Sequence, residues 1–260
     1  MVFYNNIDPV LLRLGIFEIR WYGLFFVLGF VAAYFMIQHL AKIKKLHLTK
    51  DDVSDYLVHL ALGAIIGSRL VYVLVYNFAF YKANPLEVFA LWRGGLSFHG
   101  GLLGSLIAIY IFAKKKNIGF WTLADITAIP LAFGLFLGRI GNFINGELYG
   151  RVTSLPWGVK FQGAEGFRHP SQLYESAKNL FIFVSLWSIR KKELPQGSYA
   201  MFFIVAYAVL RFMVEFFREP DPQLGFIAFG LTMGQILNLV MLAVGLCILL
   251  YLRKKHKKGK

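Results

Sequence analysis

The chain is short of charge, and of negative charge above all. Charged residues make up 16% of its 260 positions, against roughly 25% in an ordinary soluble domain. Lysines and arginines number 28, aspartates and glutamates only 14. A lone cysteine, Cys247, excludes an internal disulfide. Its place in an apolar block suits a small buried hydrophobe. There is no His-Glu-x-x-His and no cysteine–histidine spacing, so zinc proteolysis is not expected. Walker loops and Gly-x-Ser-x-Gly elbows are missing too, which speaks against nucleotide-driven work and a serine hydrolase. No metal and no cofactor are expected. The first 19 residues lack the charged start and short apolar core of a cleavable signal peptide.

What is abundant is apolar. Hydrophobic residues are 57% of the chain and come in long blocks. A membrane barrel needs short alternating segments instead. The expected fold class is therefore an all-α polytopic membrane protein, one integral membrane domain over 1–260. Seven transmembrane helices are expected at about 19–41, 56–76, 95–113, 122–137, 173–189, 199–217 and 231–252. The second carries Arg69, the short fourth carries Asp125 and Pro130, and the sixth carries Arg211 and Glu215. Asp125 lies far from the other polar groups and reads as a helix cap or internal acceptor. No pair of matching broken helices marks an internal repeat of the transporter kind.

The net charge of +14 could suggest nucleic acid as a partner, but its distribution argues against it. The basic residues cluster beside the apolar blocks: Lys42, Lys44, Lys45 and Lys50, then 114–116, 190–192 and 253–260. That is the positive-inside pattern, with membrane lipids as the partner of these clusters. Seven spans then set the C-terminus in the cytoplasm and the N-terminus outside. Outer segments remain at 77–94, 138–172 and 218–230. The middle one is too long for a structureless connection. A small extracytoplasmic head is expected there, with some β structure at 155–161.

The head begins with the most informative stretch, residues 138–151. It holds Gly138, Gly141, Gly146 and Gly150, with Arg139, Arg151, Asn142, Asn145 and Glu147. Polar groups where hydrocarbon ends are costly unless they face protein, water or a ligand. Glycine admits close backbone approach, and guanidinium beside amides suits a phosphate. A snorkelling arginine in an interfacial loop is the plainer alternative.

Other polar residues gather at the same side. His99 sits among glycines at the outer start of the third span. It can accept a proton near neutrality, or simply bond a backbone carbonyl. Arg211, Glu215 and Arg218 are spaced four and three apart and share one helical face. They form a structural salt bridge, an anion site, or both. Ser171 reads as an N-cap of the fifth span, and Glu175, one turn in, as a complement to the helix dipole. His169 fits a base or a loop contact. Tyr22, at the outer end of the first span, reads as an interfacial anchor.

Taken together, these segments resemble the bacterial prolipoprotein diacylglyceryl transferase family. The resemblance runs through 20–23, the His99 segment, the specific 138–151 run, 169–175 and 211–221, and covers essentially the whole chain. It implies transfer of the diacylglyceryl group of phosphatidylglycerol to the thiol of the lipobox cysteine of a prolipoprotein. Glycerol phosphate is released. The implied partners are phosphatidylglycerol and the prolipoprotein signal peptide, and the implied location is the bacterial inner membrane. Carried onto this sequence, the family's functional positions are Tyr22, His99, Arg139, Asn142, Glu147, Gly150 and Arg211, with Glu215 and Arg218 completing the arginine–glutamate set. For Tyr22 this displaces the anchoring role. Arg139 and Arg211 are the expected phosphate stabilisers and His99 the candidate base. Asn142 and Glu147 are expected to orient the headgroup, and Gly150 to let backbone approach. A lipid or anion transporter using the same arginines is the alternative. One-sided clustering of the polar residues speaks against it.

Overall fold

Long apolar helices dominate because each lipid-facing stretch must satisfy its backbone internally. The computed structural model describes residues 3–15, 17–219, 226–228 and 230–258. In chain order these form β1 (Phe3–Asn5), β2 (Val10–Leu14), β3 (Phe17–Arg20), α1 (Trp21–Ile43), α2 (Lys50–Val71), α3 (Phe78–Ala83), α4 (Phe98–Lys115), α5 (Phe120–Ile144), β4 (Val159–Phe161), α6 (Ser171–Ile189), α7 (Ser198–Glu215), β5 (Phe226–Ala228), β6 (Leu231–Thr232) and α8 (Met233–Lys258). Among the described residues, five helices are long and apolar enough to cross a membrane: Trp21–Ile43, Lys50–Tyr76, Phe120–Ile144, Ser198–Glu215 and Met233–His256. Side chains such as Phe26, Phe35, Val58, Ile66 and Leu250 are exposed on them, as lipid-facing positions are. The protein is a multi-pass membrane protein.

The sequence-based boundaries need several corrections. α5 does not stop at 137 but runs on to Ile144, so Arg139 and Asn142 are helical residues and not loop residues. The polar groups from 138 onward marked the end of the apolar run, yet the helix carries on through them, with Gly141 packed beneath Tyr22. Ser171 is the first helical residue and not the cap. Pro170 holds the cap position, and the Ser171 hydroxyl donates to the Leu148 carbonyl at 2.9 Å. The polar first 19 residues supply strands: β2 and β3 pair as an antiparallel hairpin, and β1 runs parallel to β4 with Asn5 opposite Phe161. The strand expected within 155–161 is β4. Its Val159 and Phe161 pack with Ala164, Phe143 and Tyr149 into a small core.

The chain divides into two compact units. One holds the residues up to Ile37 and those from Asp125 onward; the other is Gln38–Ala124. In the second unit α2 lies against α4 through glycines. A Cβ on Gly67 would stand 2.8 Å from Gly104 Cα, and one on Gly104 would overlap the Gly63 carbonyl. Only glycine allows backbones this close, and dispersion contacts then hold the helices together. Gly104→Leu is expected to destabilise the protein by about 1–3 kcal/mol through overpacking. Thermal denaturation of the detergent-solubilised protein checks this, and an unchanged melting temperature would refute the close packing.

Arg69 of α2 is buried in the same unit. Its guanidinium donates to the carbonyls of Glu87 (2.6 Å), Val88 (2.8 Å), Gly94 (2.6 Å), Gly95 (3.0 Å) and Ala90 (3.2 Å). One cation thus organises the irregular segment between α3 and α4. In the first unit Asp125 accepts from the amides of Gly197 (2.8 Å) and Ala200 (2.9 Å), capping α7 from another helix. That is the internal acceptor role expected of it.

Candidate active site

The first unit carries a buried charge cluster built where α5 and α7 end and where α6 and α8 begin. Arg139 and Asn142 stand one turn apart on α5, because three residues bring side chains to one face. The Arg139 Nη1 donates to Asn142 Oδ1 at 3.4 Å, Asn142 Nδ2 to Glu147 Oε1 at 2.8 Å, and Asn145 Nδ2 to the same oxygen at 3.2 Å. Glu147 is exposed, but its backbone is held: its carbonyl accepts from Gln172 Nε2 at 2.6 Å. Residues 145–148 therefore form a bend pinned to the start of α6.

Glu175 is the centre of the cluster, which the dipole reading of this residue missed. Its side chain is 4% exposed. Oε1 lies 2.6 Å from Arg211 Nη1, while Oε2 lies 3.2 Å from Lys178 Nζ and 3.8 Å from Arg139 Nε. Arg211 Nη1 is also 2.7 Å from Glu215 Oε2, which stands 3.9 Å from Arg218 Nη1. Glu215 accepts a further bond from Thr232 Oγ1 at 3.2 Å, and a Cβ on Gly234 would press on its carboxylate. The start of α8 is thereby fitted to α7.

Four cations (Arg139, Lys178, Arg211, Arg218) face two carboxylates (Glu175, Glu215) in this ion-paired set. Burial makes an unbalanced set costly unless an anion completes it. Arg139 and Arg218 are the more open cations, at 25% and 36% side-chain exposure, against 9% for Arg211. The arrangement suits a ligand carrying negative charge, with Arg139 and Arg218 facing it and Arg211 locked behind between two carboxylates.

Tyr22, at the start of α1, belongs to the same unit and packs on the signature helix. A Cβ on Gly141 would lie 2.9 Å from its ring. Gly150 is a close-approach position, where one chain segment crosses another. Its amide donates to the His169 carbonyl at 2.9 Å, and a Cβ there would overlap the Phe217 carbonyl. Arg151 Nε donates to the Arg218 carbonyl at 2.8 Å and ties this segment to the end of α7. His169 is half-buried. Its Nδ1 is 3.1 Å from the Tyr174 hydroxyl, which accepts from Trp157 Nε1 at 2.8 Å. Burial, then the nearby Arg151, hold the imidazole below its usual pKa, so it is neutral at pH 7. The ring packs against Tyr174 and Phe217.

His99 lies in the other unit, exposed in the first turn of α4, where Ser97 caps the helix by accepting from the Gly100 amide at 3.3 Å. The 211–221 segment is described only through Glu219; Pro220 and Asp221 lie outside the described residues.

Comparison with known proteins decides the family. A family model described as prolipoprotein diacylglyceryl transferase matches residues 9–251. The chain belongs to the prolipoprotein diacylglyceryl transferase family. A relative from Geobacter sulfurreducens, named phosphatidylglycerol–prolipoprotein diacylglyceryl transferase, is 52% identical over 94% of this chain and 94% of its own. Relatives of the same name from Coxiella burnetii and Oleidesulfovibrio alaskensis are each 46% identical. They cover 94% of this chain and 95% of the Coxiella protein, and 100% of this chain and 98% of the Oleidesulfovibrio protein. Seen within the transferase family, Lys178, Tyr207 and Thr232 are cluster residues that sequence reasoning passed over. They look like ordinary helix positions, and only the packing of α6, α7 and α8 brings them to Glu175 and Glu215.

Proposed function

We propose that the protein transfers the diacylglyceryl group of phosphatidylglycerol to the thiol of the lipobox cysteine of a prolipoprotein. The observation that carries this reading is the buried cluster of four cations on two carboxylates in a member of the transferase family. The thiol sulfur attacks the glycerol carbon that bears phosphate. The carbon–oxygen bond breaks, the electron pair leaves with oxygen, and glycerol phosphate departs with the added charge. A guanidinium keeps its proton through this step and forks onto phosphate oxygens, so Arg139 meets the charge directly and Arg211 supports it. Arg218 and Glu215 complete the anion site. Asn142 and Glu147 orient the headgroup glycerol through their amide–carboxylate pair. Tyr22 borders the headgroup site, and Gly150 keeps the floor of the loop thin. The thiol, with a pKa of about 8.5, must lose its proton. His99 is the candidate acceptor.

The same reading has seven spans, α4 and α6 joining the five above, and a small extracytoplasmic head at 138–172. The basic clusters lie in the cytoplasm of a bacterium and the N-terminus outside its inner membrane. Both substrates reach the site from lipid, phosphatidylglycerol by its acyl tails and the prolipoprotein by its signal helix. Proteoliposomes holding labelled phosphatidylglycerol and a lipobox peptide test the function. A diacylglyceryl mass gain on the peptide supports it; lipid movement without that gain would make the protein a transporter. His99→Gln separates two roles. Activity that recovers as pH rises past the thiol pKa fits a proton acceptor, because thiolate then forms unaided; a low, flat profile assigns His99 to orientation.

A further inference from the structure

Lys178 is a buried cation that the transfer step above does not use. It lies one turn beyond Glu175 on α6, with a side chain 4% exposed. Its ammonium is 3.5 Å from the centre of the Tyr207 ring and donates to Asn179 Oδ1 at 3.3 Å. The ring face and the amide hold the ammonium where hydrocarbon packing would otherwise exclude it.

What it does follows from the two oxygens of Glu175. Oε1 belongs to Arg211, at 2.6 Å. Oε2 is contested: Lys178 Nζ stands 3.2 Å away and Arg139 Nε 3.8 Å away. The nearer cation wins the oxygen, and Arg139 is left with a long, loose pairing. Without Lys178, the cation nearest Oε2 is gone, and the flexible Arg139 side chain closes onto that oxygen. A guanidinium bound to a buried carboxylate must be pulled away before it can grip a phosphate.

We propose that Lys178 is a positioning residue that occupies Glu175 and so keeps Arg139 free for the anionic lipid headgroup. This rests on the part of the proposed function that has the cluster bind the headgroup of phosphatidylglycerol. The penalty of losing Lys178 falls on binding: once phosphate has displaced Glu175 from Arg139, the reaction proceeds from the same complex. Lys178→Met, close in length and uncharged, is therefore expected to raise KM for phosphatidylglycerol about tenfold with kcat within about twofold of the parent. Lys178→Arg restores a cation on Oε2 and is expected to return KM to within about threefold of the parent. Should Lys178→Met fail to insert, Lys178→Gln carries the same expectation.

The assay is transfer to a lipobox peptide at varied phosphatidylglycerol. It is paired with the rise in melting temperature that phosphatidylglycerol gives the detergent-solubilised protein. A KM increase rescued by arginine, with a smaller lipid-induced rise in the uncharged variant, supports the proposal. Unchanged KM in Lys178→Met and Lys178→Gln overturns it, as does a loss confined to kcat or an arginine variant that behaves like methionine. If the parent protein binds phosphatidylglycerol in a Lys178-dependent way but transfers nothing, the transferase reading fails and this one stands.

Discussion

Arg139→Ala is expected to abolish transfer while leaving a folded, membrane-inserted protein. The side chain is a quarter exposed, and its pairing with Glu175 is long at 3.8 Å. Little of the fold leans on it. Its work begins when phosphate arrives, because the leaving oxygen gains charge as the bond to glycerol breaks. Loss of one preorganised charge-stabilising group typically lowers kcat by about 10²–10³. Arg211 is held between Glu175 and Glu215 and cannot take the place of Arg139, so the alanine variant is expected at or beyond the upper end. Arg139→Lys is expected to recover only part, since an ammonium offers a point charge without the planar fork. The measurement is single-turnover transfer in proteoliposomes, with circular dichroism as the check on folding. A fully active Arg139→Ala protein would remove the phosphate clamp from the mechanism.

Glu175→Leu is expected to fail differently, by unfolding. Glu175 is the carboxylate on which Arg211, Lys178 and Arg139 converge. Deleting it leaves Lys178 buried without its carboxylate and Arg211 sharing Glu215 with Arg218. Breaking a buried pair from one side costs about 3–5 kcal/mol, much of the net stability of a typical domain. Thermal denaturation in detergent reads this directly: a large fall in melting temperature is expected for Glu175→Leu, and a near-parental value for Arg139→Ala. Equal melting temperatures for the two variants would contradict the division of labour between a scaffold carboxylate and a substrate-facing guanidinium.

The contrast between these residues also marks how far the sequence could be read. The pairing within Arg211, Glu215 and Arg218 was legible because three- and four-residue spacing stacks side chains on one helical face, and Glu215 does bridge both arginines. The 138–151 run was legible as a polar site because so many ionisable and amide groups stand out against an apolar background. Its backbone was not: α5 carries Arg139 and Asn142 as helix, since the end of an apolar run need not be the end of a helix, and Gly141 packs within it beneath Tyr22. The crossing of two chain segments at Gly150 was not legible, because it depends on Phe217 and His169, distant in sequence. Ser171 has the chemistry of a cap, yet its hydroxyl serves the Leu148 carbonyl because Pro170 ends the loop one residue earlier.

Sequence alone determined the membrane class, the helical architecture and the family, because apolar block length and a dense motif are properties of one dimension. Tertiary structure alone decided which charges meet. Glu175, Lys178 and Tyr207 carry no local signal, and they become a site only when α6 and α7 turn the same faces inward. Ion pairing falls off over a few ångströms, and no periodicity along a chain reports a distance between helices that the chain visits in succession.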